Sequence, residues 1–285
     1  MAIGILPMVL RKIDLPSCPI DNLDWPNQDI PNVSTVGELG PDDHIVVYPN
    51  SGIFYKLSPK LTCKVSLVFT EPKAIHAKYY RTLGFLRHRF NRVICRYPEY
   101  AKKHSNVLLM QVIDTWVSND AVNKSTEKTK ACSLIASAKN NLEGHKLRHR
   151  LANWCQQHAK KVELLGKAYN PFDKKEDGLA PYHYSIIIEN NQEKEYFTEK
   201  LLDCLLCNTM PIYWGCPNIA DYFDTNGMII CNTEKDLHRA IENINEPLTE
   251  KQCCAMANNK AVALELSQLN QRIADLLTHD QHNTL

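Results

Sequence analysis

Residues 182–223 read YHYSIIIENNQEKEYFTEKLLDCLLCNTMPIYWGCPNIADYF, and this stretch decides the fold. Tyr184–Ile188 is an apolar run of strand length and predicts a buried strand. A polar loop follows. Thr198–Cys207 then predicts a helix with Leu201, Leu202, Leu205 and Leu206 on its inner face, and Met210–Trp214 predicts a second strand. Strand, crossover helix and strand make the repeating unit of a parallel, helix-covered sheet. In such a unit the loop after the first strand and the start of the helix open on one crevice, where open α/β folds bind ligands.

The same alternation extends outward. Downstream, Gly227–Cys231 reads as a strand, Thr233 caps a helix, and Thr249 to Gln252 has the form of a capping box that opens the last long helix. Upstream, Ala131–Ala136 reads as a strand, and Leu147, Leu151, Trp154 and Cys155 give His145–Gln157 helical spacing. Five earlier runs predict strands of a first sheet: Ile3–Leu6, Ile45–Tyr48, Val65–Phe69, Arg92–Cys95 and Val107–Gln111. Pro16–Pro31 between them should be irregular. The polar run Ser118–Lys130 is the natural linker, so the expected division is 1–120, 121–270 and a helix end with tail at 271–285.

Composition narrows the classes. The chain has 285 residues, 44% hydrophobic and 23% charged, with a formal charge of +1. No broad field points to nucleic acid, and no aromatic-basic stripe supports it. No apolar run is long enough to span a bilayer, and Met1–Leu10 reads as a first strand rather than a signal peptide. Eleven cysteines without regular spacing suggest reduced thiols and a cytoplasmic setting. Cys204 and Cys207 fall inside the predicted helix and read as core rather than as a metal or redox pair.

Thr198 is a sound N-cap, which puts Glu199 and Lys200 in the first helical turn. A lysine there opposes the helix dipole, a placement that makes sense with an anion such as a diphosphate in front of it. The plain alternative is a solvated surface lysine. In His145-Lys146-Leu147-Arg148-His149-Arg150, the two histidines have a metal-compatible i, i+4 spacing, but no third ligand is visible. Solvated helix histidines and a basic helix face are the simpler reading.

The stretch Glu189-Asn190, Tyr196-Phe197-Thr198-Glu199-Lys200 and Pro211-Ile212-Tyr213-Trp214-Gly215 resembles the donor-binding signature of glycosyltransferase family 10, the α-1,3/4-fucosyltransferases. The resemblance covers about Ala131 to Ile230. It implies a GT-B fold of α/β class: two Rossmann-like domains facing across a cleft, with the donor nucleotide on the C-terminal one. It implies GDP-fucose as donor, a glycan hydroxyl as acceptor and inversion at the transferred sugar. Ser137 and Arg148 are similar to the family's segment whose arginine reaches the donor phosphates. Glu189, Asn190, Tyr196, Thr198, Glu199 and Lys200 complete the expected donor site.

Stabilising a departing diphosphate needs a metal or fixed cations. The chain contains no Asp-x-Asp, so Arg148 and Lys200 are expected to act without a metal or other cofactor. The general base should be an N-terminal carboxylate. Glu71, in Val68-Phe69-Thr70-Glu71-Pro72, follows a buried strand and resembles the family's strand ending in Glu-Ser-Pro. Glu99 and Asp114 are reserves, and His76 is the candidate for touching the acceptor. Two other readings remain: a transferase of this fold using another nucleotide sugar, such as a xylosyltransferase or exostosin-like enzyme, and a non-catalytic glycan- or nucleotide-binding relative. Oligomeric state is not legible.

Overall fold

The computed structural model describes residues 1–56, 61–244 and 248–282. The chain divides into two units, Met1–Val112 with Gln268–Leu285, and Ile113–Ser267. The polar run Ser118–Lys130 thus lies inside the second unit rather than between the two. It contains a short helix, and Ser118 caps that helix by accepting from the Ala121 amide.

The first unit holds β1 (Ile3–Ile5), β2 (His44–Val47), β3 (Lys64–Val68), β4 (Val93–Cys95) and β5 (Val107–Leu109), all parallel and in sequence order across the sheet. Its helices are α1 (Ser51–Lys56), α2 (Lys73–Leu86) and α3 (Pro98–Ala101). Right-handed crossovers that always step the same way put their connections on one face of a sheet. That face buries Ile45, Val47, Leu67, Val93 and Cys95 against Phe54, Tyr80 and Leu83.

The opposite face would be left bare by the crossovers alone. In the second unit come α4 (Asn119–Asn123), β6 (Lys130–Ile135), α5 (Glu143–Gln157), β7 (Val162–Leu165), β8 (Tyr182–Ile188), α6 (Glu199–Leu206), β9 (Met210–Trp214), β10 (Ile229–Ile230), α7 (Glu234–Glu242) and α8 (Glu250–Leu266). The chain then breaks at Ser267 and starts α9 (Leu269–His282), which belongs to the first unit. Leu269, Ile273, Ala274 and Leu277 bury themselves with Ile3, Ile5, Val46, Val68 and Ile94. The segment expected as a helix end with tail thus belongs to a helix that covers the sheet's second face.

The second sheet has the order β10-β9-β8-β6-β7, again all parallel. Strand order reverses between β6 and β8, because β7 lies on one side of β6 and later strands on the other. Such a reversal opens a crevice beyond the strands' C-terminal ends, the usual ligand position of an open α/β sheet. Both faces are apolar: Ile187 and Tyr213 pack with α6, while Ile186, Ile188, Ile212 and Trp214 pack with α5 and α7.

Candidate functional site

The switch point is lined by the residues that follow β6 and β8. Glu189 and Asn190 come directly after β8, and α6 begins nine residues later. Thr198 caps α6 by accepting from the Lys200 amide. Its own amide and hydroxyl donate to the two carboxylate oxygens of Glu189 at 2.8 and 2.7 Å. Glu189 is fully buried, so strand end and helix start are locked together through one carboxylate.

The Lys200 ammonium lies 2.8 Å from Glu199, 3.0 Å from the Thr198 hydroxyl and 3.8 Å from Glu189. Burial works against its charge, but Glu199 and Glu189 outweigh it and raise its pKa. Burial pushes the Glu189 carboxyl up, only partly opposed by Lys200. Burial also works against the Glu199 carboxylate, yet Lys200, helped by Lys175, holds it below its ordinary value.

Arg148 reaches the same place from α5. Its Nε donates to the Ile188 carbonyl at 3.0 Å, Nη2 donates to that carbonyl too, and Nη2 also donates to the Asn190 side chain at 3.2 Å. The guanidinium is buried and close enough to Lys200 to oppose its charge. Two cations held this way favour a shared anion. Tyr196 is buried in the loop that leads into α6.

Glycines permit this closeness. A Cβ on Gly144, in the first turn of α5, would stand 1.7 Å from the Glu189 carbonyl oxygen. The Gly144 amide donates to the Asn190 carbonyl at 3.1 Å, so α5 sits backbone to backbone on the β8 end. A Cβ on Gly215 would meet the Glu189 side chain at 2.6 Å. The glycine that ends Pro-Ile-Tyr-Trp-Gly thus makes room for the buried carboxylate.

Of the expected donor residues, Arg148, Glu189, Asn190, Tyr196, Thr198, Glu199 and Lys200 come together here. Ser137 is exposed past the end of β6, across the strand reversal from Asn190, and its hydroxyl accepts from the Lys139 amide at 3.4 Å. The histidines of α5 have other occupations. His145 Nδ1 bonds Asn141 at 2.8 Å, and its pKa is pushed down to about 4 by burial, with Arg148, Lys139 and Lys200 adding to the effect. His149 engages the Tyr169 hydroxyl and the Lys139 carbonyl, both at 3.1 Å. Among the described residues no group of three or more His, Cys, Asp or Glu is arranged to hold a metal ion.

Glu71 and His76 belong to the first unit. Glu71 follows β3 and is half-buried, and its carbonyl accepts from the Tyr80 hydroxyl at 3.3 Å. His76 sits at a kink in α2 with φ −100° and ψ 24°. Its ring meets Tyr79 edge-on at 5.2 Å, Nδ1 is buried without a hydrogen bond, and burial, with Arg11 adding, lowers its pKa. The reserve Glu99 pairs with Lys73 on the surface. The Asp114 side chain accepts from the Thr115 amide at 2.8 Å.

Sequence reading missed two supports. Glu195 has φ +65°; its amide donates to Asn218 at 3.0 Å, and its carboxylate accepts from the Asn218 amide group at 2.9 Å and from the Tyr222 hydroxyl. This pins the loop before Tyr196 to the turn after β9. Asp203, fully buried on α6, holds Thr115 and Trp116, with Lys175 close by. A lone acid in an apolar helix face was the available signal for Asp203; Glu195 left none.

Residues 125–246 match the family described as glycosyltransferase family 10 (fucosyltransferase), C-terminal part. An α-(1,3)-fucosyltransferase of Helicobacter pylori is 35% identical over 83 residues, 29% of this chain and 17% of its own. A GDP-fucose protein O-fucosyltransferase 3 of Bos taurus is 36% identical over 69 residues, 23% of this chain and 14% of its own. The matched stretches thus span less than a fifth of either relative. Among solved structures, that of TarM aligns with a TM-score of 0.55 at 10% identity, over 83% of this chain and 55% of that one. The architecture is that of the GT-B glycosyltransferases, two parallel helix-covered sheets. The strand reversal with its buried Glu189, its two cations and the glycines that seat them lies in residues 125–246, the segment that matches the C-terminal part of glycosyltransferase family 10, the fucosyltransferase family.

Proposed function

We propose that this chain is an inverting, metal-independent glycosyltransferase that moves L-fucose from GDP-fucose to a hydroxyl of a glycan. The observation that carries the reading is the pair Arg148 and Lys200, held within electrostatic range of each other at the crevice beyond β8. An anion between them relieves their repulsion and meets the open end of α6. GDP-fucose as donor draws on the printed names of the two relatives, one a fucosyltransferase and the other a GDP-fucose enzyme.

In the reaction the acceptor oxygen bonds to the anomeric carbon as the bond to the β-phosphate oxygen breaks on the opposite face. Arg148 and Lys200 take up the negative charge that grows on the leaving diphosphate, the part a divalent ion plays elsewhere. Glu71 takes the acceptor proton. Glu199, Asn190 and Tyr196 contact the ribose, sugar or phosphates, Ser137 borders the phosphates across the strand reversal, and His76 touches the acceptor. The eleven unpaired cysteines fit a reducing, cytoplasmic setting; among the described residues no helix is long and apolar enough to cross a membrane.

Thermal unfolding with GDP, UDP and each corresponding sugar nucleotide tests the donor. A ligand that binds the folded state raises the midpoint by mass action. GDP and GDP-fucose should raise it, and activity should survive a chelator. A rise with UDP alone, or loss of activity with EDTA that manganese restores, would overturn the reading.

A further inference from the structure

Trp116 is 69% exposed, although its backbone is fixed. Its amide donates to Asp203 Oδ1 at 3.0 Å, and the neighbouring Thr115 hydroxyl donates to the same oxygen at 2.7 Å. Thr115 in turn accepts from the Val117 amide at 3.1 Å. Asp203 is fully buried on α6, one helical turn beyond Glu199 on the same face. A buried carboxylate has thus been used to moor a short segment whose indole is then left in solvent.

Lys175 connects this segment to the donor site. Its ammonium is 3.9 Å from Asp203 Oδ2 and 5.6 Å over the centre of the Trp116 ring. Its charge also reaches Glu199 and helps hold that carboxylate ionised. One lysine therefore lies against Asp203 and the indole while its charge acts on Glu199, and all of these residues belong to the unit Ile113–Ser267. The ammonium lies over one face of the ring, and the residue's exposure leaves the other face to solvent.

We propose that Trp116 is a sugar-binding platform: its open face stacks on the C–H face of a pyranose ring whose hydroxyls turn toward Glu199 and Lys175. The chemistry suits that ligand. A pyranose has an apolar face of axial hydrogens and a polar rim, and here a flat apolar surface adjoins a fixed carboxylate and a fixed ammonium. A free apolar partner would need no such charges, and a free anion would need no indole. The proposal rests on the start of α6 being the sugar-nucleotide site and adds a subsite to it. The stacked ring comes either from the donor or from the acceptor glycan.

Steady-state kinetics and calorimetric titration of wild type, Trp116→Ala and Trp116→Phe decide it, using GDP, GDP-fucose and a fucosylatable oligosaccharide. Trp116→Ala should bind GDP as tightly as wild type and raise one KM about tenfold, the loss expected for an aromatic stacking contact. Trp116→Phe should recover most of it. A raised donor KM with weaker GDP-fucose but unchanged GDP binding identifies the transferred sugar; a raised acceptor KM identifies the glycan. Wild-type turnover with both KM values unchanged in Trp116→Ala overturns this proposal alone, as does a Phe variant as impaired as Ala. A wild-type protein that binds GDP but no sugar-bearing ligand overturns it too. One that binds no nucleotide at all overturns the donor-site reading with it.

Discussion

Lys200 carries its ammonium in the first turn of a helix, where the dipole disfavours it, and two carboxylates offset that cost. Replacing it with methionine should leave Glu189 buried without its countercharge and remove a cation from the crevice. Turnover should fall by about two to three orders of magnitude, and GDP binding should weaken in titration calorimetry. Arg148→Lys keeps the charge but not the fork that holds the Ile188 carbonyl and Asn190, so it too should bind GDP poorly. Glu71→Gln should instead abolish turnover while GDP affinity stays near wild type; retained turnover would remove Glu71 as the base. Arg148 stood out in the sequence only by resemblance, since Lys146 and Arg150 carry the same charge. The fold separates them: Lys146 is exposed, Arg150 pairs with Glu234 at the surface, and Arg148 shares the buried stripe of Leu147 and Leu151.

At the scale of elements, the site depends on how closely α5 sits on the end of β8. Gly144→Ala places a methyl group 1.7 Å from a carbonyl oxygen that cannot yield without moving the strand. We expect a loss of about 3 kcal/mol or more in denaturant unfolding, against a small gain if the position were an ordinary exposed helix site. The strands and most helices were legible because their apolar runs and caps are local signals: β9 falls where its run predicts, and Thr198, Thr233 and Thr249 each cap the helix they announce. Helix α2 was not legible. Its inner residues are Tyr79 and Tyr80 with Leu83 and Leu86 rather than a continuous aliphatic stripe, and it kinks at His76. The Glu195 pin was hidden for a different reason: its partners lie 23 and 27 residues away in sequence.

At the scale of the whole molecule, the two sheets solve the same covering problem differently. The second sheet reverses its strand order and covers both faces with its own helices; the first does not reverse and takes α9 from the far end of the chain. Ile273→Ala should therefore destabilise the first unit by about 2–4 kcal/mol in urea unfolding, as for a buried core residue. That unit should also be sensitive to acid. His44 is buried in β2, bonded to Ser66 at 2.6 Å, and burial, aided by Lys64 and Arg92, lowers its pKa from 6.5 to about 4. The unfolded chain takes up a proton that the folded one refuses. This stability is complete above pH 6.5 and is lost as pH falls toward 4, by on the order of 3 kcal/mol. Unfolding measured at pH 7 and 4.5 should show a shallower pH dependence for His44→Gln.

Local chemistry in the chain by itself determined the alternation of strands and helices, the cap at Thr198 and the cluster that follows β8, because hydrogen-bonding termini and apolar periodicity act over a few residues. Tertiary structure alone decided that α9 closes the first sheet, that Gly144 must lack a side chain, and that Asp203 moors Trp116. These depend on backbones and charges brought together from distant positions, where a residue's role is set by what it touches and not by its neighbours in sequence.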